Sequence, residues 1–450
     1  MKANDAWYNF PEGLYTSIIM LIKSSRRFSL FVRRFPVPFY LLKWLLLSAI
    51  IGVFIGSASA FFLVSLDWAT DWRESHTWVI ALLPLGGFAI GCLYHFAGKS
   101  VEGGNNLLLE TIQQPVKVIP FKMAPFVLLG TITTHFFGGS AGREGTALQM
   151  GGSIADQLTY LFKFRPRDRK LIILAGIAAG FGSVFGTPLA GAIFALEIAL
   201  IGKINYRSLF PVLLSSVCAD FVTRAWNVGH THYTIPLIPP LTLTSIVCSI
   251  IAGVAFGICA ISFGTLTQSI GHFFRSKIKF PPLRPLAGGL VIAIAVFGIG
   301  STKYIGLGIP TIVESFSNQL SPYDFLIKLV FTAVTLGAGF KGGEVTPLFF
   351  IGAALGNALS LLLPLPVGLL AGMGFVAVFA GAANTPIACS IMAIELFGAE
   401  CGVYVTLACV TAYLISGHRG IYSTQVIGEA KHLFYGRHIG KKLSELKGKK

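Results

Sequence analysis

Charge is what this chain has little of. Only 12% of its 450 residues are Asp, Glu, Lys or Arg, and just 19 are acidic. So few charges cannot clothe a water-facing surface of this size, which sets aside an aqueous enzyme as the first reading. Redox and metal chemistry are equally thin. The seven cysteines (Cys92, Cys218, Cys248, Cys259, Cys389, Cys401 and Cys409) are scattered, mostly in apolar runs, and make no Cys-x-x-Cys pair. They read as small buried side chains, not as a disulfide framework or a metal site. His230-x-His232 lies in a loop, 224–240, without a cysteine or carboxylate to complete a metal site. The intramembrane charges form no His-Glu-x-x-His or Ser-Lys arrangement, and no Gly-Lys-Ser/Thr phosphate loop occurs where glycines cluster. No enzyme activity, cofactor or metal is therefore expected. Nor is a cleavable signal recognisable: the first 37 residues are polar and basic. Their one apolar patch, 14–22, is too short to span a bilayer and is expected to be an interfacial helix.

Apolar residues, by contrast, make up 54% of the chain, and the mean hydropathy is +0.73. Many runs reach the roughly 20 residues that span a bilayer. Runs at 39–64, 79–96, 123–137, 147–161, 208–222 and 241–266 predict helices, as do those at 286–299, 325–340, 348–363, 367–383, 387–398 and 403–415. Trp68, Trp72 and Trp78 mark an aromatic belt at one interface. The run 171–201 is interrupted at Gly186-Thr187-Pro188 and predicts two shorter helices. The net charge of +16 gathers between and beyond the apolar runs, at 23–34, 163–170, 275–284 and 431–450. Such clusters mark cytoplasmic loops rather than a nucleic-acid surface.

The chain centres on Gly139 to Thr146, Gly-Ser-Ala-Gly-Arg-Glu-Gly-Thr, between two apolar runs. A glutamate at bilayer depth is costly and marks a functional site. The bland reading pairs Glu144 with Arg143 at the membrane surface. In the functional reading the glycines admit close backbone approach, and a helix starting at Thr146 offers N–H groups and a positive dipole end to an anion. Glu144 is then a tethered carboxylate lying where a free anion could also lie.

The motif recurs. A shift of 200 sets Gly139, Gly142, Glu144, Thr146, Leu148 and Gly152 on Gly339, Gly342, Glu344, Thr346, Leu348 and Gly352. A shift of 198 sets Phe181, Thr187, Pro188 and Glu197 on Phe379, Thr385, Pro386 and Glu395. Interrupted apolar segments at matching places in two halves point to a transporter-like fold with its site at the repeat interface. With both termini cytoplasmic and an odd number of crossings per half, the halves are inverted. Two glycine-rich helix starts then face one point and make an anion site without a full positive charge.

These residues resemble the CLC anion channels and transporters. Gly142-Arg143-Glu144-Gly145 resembles the gating-glutamate motif of that family. Gly343-Glu344-Val345-Thr346-Pro347 resembles its second anion-binding loop, and Arg419-Gly420-Ile421-Tyr422-Ser423 the segment of its central tyrosine. Asn105 in Gly103-Gly104-Asn105-Asn106, Thr146 after the gating motif and Val345 depart from chloride-handling members. They resemble the fluoride-exporting branch, CLC-F. The resemblance covers about 39–425 and implies an all-α, inverted-repeat membrane fold of tilted, broken helices that forms a homodimer. The domains expected are a basic leader (1–38), a transport domain (39–425, halves about 39–225 and 241–425) and a basic tail (426–450).

The resemblance implies a fluoride/proton antiporter of the plasma membrane, a bacterial inner membrane. Chloride/proton exchange and a passive anion channel are the alternatives. Glu144 is then the gating and proton-carrying group. Gly104, Asn105, Asn106, Gly343, Glu344, Val345, Thr346 and Tyr422 bind the anion, and Glu197 stands on a candidate proton path. Exchangers of the family carry a second inner glutamate where this chain has Ile198. Glu197 and Glu395 read equally well as buried carboxylates capping helix ends.

Overall fold

The computed structural model describes residues 36–114, 118–162 and 164–448. The apolar patch 14–22 and nearly all of the leader lie outside them. Packing divides the chain after Leu47, and apart from the opening turns of the first helix everything below concerns the larger unit, Ser48–Lys450.

The described chain folds into sixteen helices that fall into two sets of eight. The first set is α1 (Pro36–Ser75), α2 (Leu83–Phe96), α3 (Asn105–Gln113), α4 (Met123–Phe136), α5 (Glu144–Phe162), α6 (Pro166–Phe185), α7 (Pro188–Ala199) and α8 (Leu209–Ala225). The second is α9 (Leu243–Lys277), α10 (Leu283–Ile299), α11 (Ile309–Glu314), α12 (Asp324–Ala338), α13 (Val345–Leu359), α14 (Val367–Ala383), α15 (Pro386–Phe397) and α16 (Gly402–Ile415). Four helical stretches are long and apolar enough to cross a bilayer. At 35 residues, α9 is about 52 Å long at 1.5 Å per residue. That exceeds a hydrocarbon layer of about 30 Å, so α9 tilts or projects beyond it at its basic end. Most of the others are short and broken, which a bilayer tolerates only where neighbouring protein satisfies the freed backbone groups.

The break within 171–201 falls where the sequence places it. Gly186 ends α6 in the left-handed region, and Pro188 opens α7. In the second half Asn384 takes the same conformation after α14, and Pro386 opens α15. Each half also crosses two helices at glycine. A Cβ on Gly151 of α5 would lie 2.2 Å from the Gly176 carbonyl of α6, and one on Gly352 of α13 would lie 2.0 Å from that of Gly374 in α14. Small residues at a crossing let helix backbones approach, the usual basis of helix association in lipid. Between the halves, Phe181 and Phe379 stack with ring centroids 6.5 Å apart.

Side-chain hydrogen bonds repeat as well. Ile119 N–H donates to Asp156 Oδ2 at 2.8 Å, and Leu320 N–H to Asn357 Oδ1 at 2.9 Å. These pairs, the Gly151/Gly352 crossing and the bridge between Gly142 and Gly343 all stand 201 apart. The offset of 200 is thereby corrected by one residue. α5 begins at Glu144, two residues before the expected start, whereas α13 begins at Val345. The structural counterpart of Glu144 is Val345, not Glu344.

The short helix α11 was not expected. Its signal is Gly308-Ile309-Pro310, a left-handed glycine followed by proline in the first turn. The basic tail packs onto the first half. Strand β1 (Leu200–Ile201), directly after α7, pairs in parallel with β2 (Val426–Ile427). Ile201, Ile427 and Leu443 cluster beneath the pair.

Candidate functional site

Two helix starts meet at the centre of the larger unit. Just before them, Gly142 N–H donates to the Gly343 carbonyl at 2.6 Å, and Gly343 N–H to that of Gly142 at 2.7 Å. The two segments therefore run antiparallel, as inverted repeats require. No side chain fits: a Cβ on Gly343 would lie 2.6 Å from the Gly145 nitrogen. This corrects one expectation, since Gly343 has no N–H to give an anion. The bridge consumes it.

Glu144 reaches across the junction. It is fully buried. Its carboxylate accepts from Thr346 N–H and Arg143 N–H, both at 3.1 Å, and from the Thr346 hydroxyl. The Arg143 guanidinium stands 3.6 Å away. The pairing with Arg143 thus exists, but not at a surface. The carboxylate rests on the first turn of α13, where free N–H groups and the dipole favour negative charge.

Beside this junction lies a cavity of about 160 Å³, lined by Gly104, Asn105, Asn106, Lys341, Glu344 and Tyr422 among others. Asn105 Oδ1, Glu344 Oε2 and the Tyr422 hydroxyl are buried without a protein partner. Buried polar atoms are rarely left so, and several lining one cavity suit a small polar guest. Tyr422 is only 1% exposed. Its hydroxyl lacks the structural partner that a purely architectural tyrosine would need.

The two neighbouring asparagines separate clearly. Asn106 Oδ1 accepts from Thr424 N–H at 3.3 Å and Thr424 Oγ1 at 3.1 Å, and its carbonyl accepts from the same hydroxyl at 3.1 Å. It ties α3 to the segment just after Tyr422. Asn105 keeps its carboxamide oxygen unpaired. Gly104 backs the cavity with φ +54° against Gln149, and its own N–H is bonded to the Val101 carbonyl at 3.2 Å. Val345 and Thr346 are the first two residues of α13.

Glu197 does not line this cavity. It accepts from Ile387 N–H at 3.1 Å and Ala388 N–H at 2.8 Å, the opening of α15. Glu395 does the same for Leu189 and Ala190 at the opening of α7, at 2.9 and 2.8 Å. Each half thus caps a helix of the other, meeting N–H groups that helix starts leave orphaned. His230 approaches Asp220 at 3.6 Å. No group of three metal-binding side chains occurs among the described residues.

Sequence reasoning missed Gln149, Tyr94 and Lys341 in the cavity wall. Lys341 overturns the expectation of a site free of full positive charge. The chain leaves α12 through Gly339 in the left-handed region, and the turn sets Lys341 against the cavity. Its signal was available as a cation abutting Gly342-Gly343-Glu344.

A family model described as voltage gated chloride channel matches residues 86–417. A chloride/fluoride channel protein of Pseudomonas syringae pv. tomato is 55% identical over 399 residues, covering 87% of this chain and 88% of that protein. An H(+)/Cl(−) exchange transporter of Vibrio vulnificus is 27% identical over 382 residues, 78% of this chain and 81% of that one. The crystal structure of a CLC-type fluoride/proton antiporter superposes with a TM-score of 0.83 at 35% identity, over 85% of this chain and 98% of that structure's chain.

Proposed function

The chain belongs to the voltage gated chloride channel family, the CLC ion-transport proteins of membranes, and within it we propose that this member exports fluoride in exchange for protons. The observation that carries the reading is the seat of Glu144. A carboxylate on a helix start, held by Thr346 N–H and hydroxyl, occupies a place that suits a free anion. When ionised, Glu144 competes with the anion for that place. When protonated, it loses its claim and carries the proton. One site serving both in turn couples their movements, and an inward proton gradient then drives anions out.

The preference for fluoride rests on similarity and on Asn105. Fluoride is small and strongly hydrated, so its lost water must be replaced by close donors. The Asn105 carboxamide carries two N–H groups at one end and an acceptor at the other, where a serine hydroxyl has one O–H. A half-turn about its last torsion exchanges those ends toward the cavity. The Tyr422 hydroxyl is a further donor. Glu344 adds a carboxyl that donates to the anion when protonated and repels it when charged, which suits a path shared by anion and proton. Transport, not an enzymatic reaction, is assigned. The homodimer, the cytoplasmic termini and the bacterial inner membrane belong to the same reading. Positive-inside charge supports the cytoplasmic termini.

Liposomes holding purified protein and loaded with fluoride or chloride test it. Fluoride efflux should outpace chloride efflux and raise the external pH as protons enter. Equal or faster chloride efflux makes this a chloride exchanger, and fluoride efflux without a pH change makes it a channel.

The asparagines divide the labour in a checkable way. Asn105→Ser should lower the fluoride-to-chloride rate ratio by roughly tenfold, the worth of about one hydrogen bond to an ion. Asn106→Ala should leave that ratio unchanged. It should instead lower the melting temperature in detergent, since Thr424 N–H loses its acceptor and the Thr424 hydroxyl keeps only the main-chain carbonyl of residue 106.

A further inference from the structure

Lys341 sits between two cavities. It lines the small cavity of the anion site, together with Tyr94 and Glu102. The same three residues line a second space of about 400 Å³ bordered by His95, Lys99 and Arg284. Arg284 lies in the first turn of α10 and Lys99 just beyond the end of α2, on the side of the basic segment 275–284, the cytoplasmic face under the proposed orientation. Lys341, Tyr94 and Glu102 therefore form the shared wall between that cytoplasmic-side space and the cavity of the anion site.

The ammonium is held in an unusual way. Lys341 Nζ lies 4.0 Å from the centroid of the Tyr94 ring. Among the described residues no carboxylate lies within ion-pairing distance of it. Glu102 lines the same two spaces without pairing with it. A ring face steadies a cation without neutralising it. The stem is fixed too. A Cβ on Gly130 of α4 would lie 2.9 Å from Lys341 Cβ and Cγ, so only glycine leaves the lysine its channel.

A fixed, unneutralised cation in such a wall attracts anions, and low-dielectric surroundings focus that attraction. Placed in the seat itself, such a charge would hold the anion too tightly for release. Set in the cavity wall rather than on the Thr346 seat, it raises the anion's local concentration at the point of entry without gripping the seated ion, which meets the demand that a site be easy both to enter and to leave. Resting on the fluoride-export reading, we propose that the Lys341 ammonium, docked on Tyr94, is a second anion-binding site. It takes hydrated fluoride from the cytoplasmic mouth and hands it to the Asn105 cavity.

The test is fluoride efflux from liposomes against internal fluoride concentration, in low and high salt of an impermeant anion. Lys341→Gln should raise the half-saturating fluoride concentration roughly tenfold. The proton-to-fluoride ratio should stay within about twofold of wild type. High salt should shrink the difference, and Lys341→Arg should restore most of the affinity. A merely structural lysine would lower the maximal rate or the melting temperature and leave the salt dependence alone. If Lys341→Gln keeps the wild-type half-saturation at low salt, the proposal is overturned. If that variant does not fold, Tyr94→Leu gives the same reading, since the ammonium loses its dock: an unchanged half-saturation then overturns the proposal. Wild type moving no fluoride would sink the export reading instead, and that is a separate result.

Discussion

Glu144→Gln is expected to abolish proton uptake while leaving the protein folded. The amide is nearly isosteric with the carboxylate, and its oxygen can accept from Thr346 N–H as the carboxylate does at 3.1 Å. Local architecture therefore survives. What is lost is titration, because a carboxamide takes up no proton near neutral pH. A positioned proton-transfer group contributes about a hundredfold or more to its step, so fluoride-driven proton entry should fall to the background of empty liposomes. Anion flux separates the mechanisms further. The neutral amide cannot be exchanged between a charged seated form and an uncharged carrier form, so residual fluoride movement should show no pH signal. Proton uptake that persists in Glu144→Gln would mean that another carboxyl carries the proton. Glu344 would be the first suspect, because it lines the cavity with an unpartnered oxygen.

That result would also test how far the sequence can be trusted here. The apolar runs, the break at Pro188 and the reuse of Thr-Pro and Glu at fixed spacing were legible because each is a local signal with one physical meaning. The reciprocal capping by Glu197 and Glu395 was half legible. The residues stood out, but only the fold brings each to the N–H groups of the other half's helix. The offset was misread because two similar strings, Gly-Arg-Glu-Gly-Thr and Gly-Gly-Glu-Val-Thr, align best one residue out of step. Backbone pairing of Gly142 with Gly343 decides the register, and a glycine–glycine bridge leaves no side chain for a sequence to show. Lys341 was passed over for a related reason. One lysine among many reads as a membrane-surface charge until a ring beneath it and a cavity beside it are known. Asn105 and Asn106 are adjacent and identical in type. Their different tasks come from a segment more than 300 residues away.

The duplication allows a second large effect to be argued from inside the molecule. Asp156 and Arg169 form a buried ion pair at 2.7 Å, and Asp156 also receives Ile119 N–H at 2.8 Å. Its counterpart Asn357 receives Leu320 N–H in the same way, yet the second half carries aliphatic residues, Val367 and Leu370, where an arginine would correspond. The protein thus contains both a charged and a neutral version of one clamp. Asp156→Asn keeps the shape and an acceptor for Ile119 but leaves the Arg169 guanidinium, 5% exposed, without its carboxylate. Removing one member of a buried pair costs about 3–5 kcal/mol, so the variant should melt well below wild type or fail to accumulate. Adding Arg169→Leu removes the charge that faced the carboxylate and recreates the neutral clamp of the second half. That double variant should recover most of the lost stability, because an apolar replacement of a whole buried pair is often close to neutral. Thermal unfolding of the four proteins in detergent, read as a double-mutant cycle, gives the coupling directly. If the double variant melts no higher than Asp156→Asn, the arginine has a separate architectural role, and the two clamps are alike in geometry but not in energy.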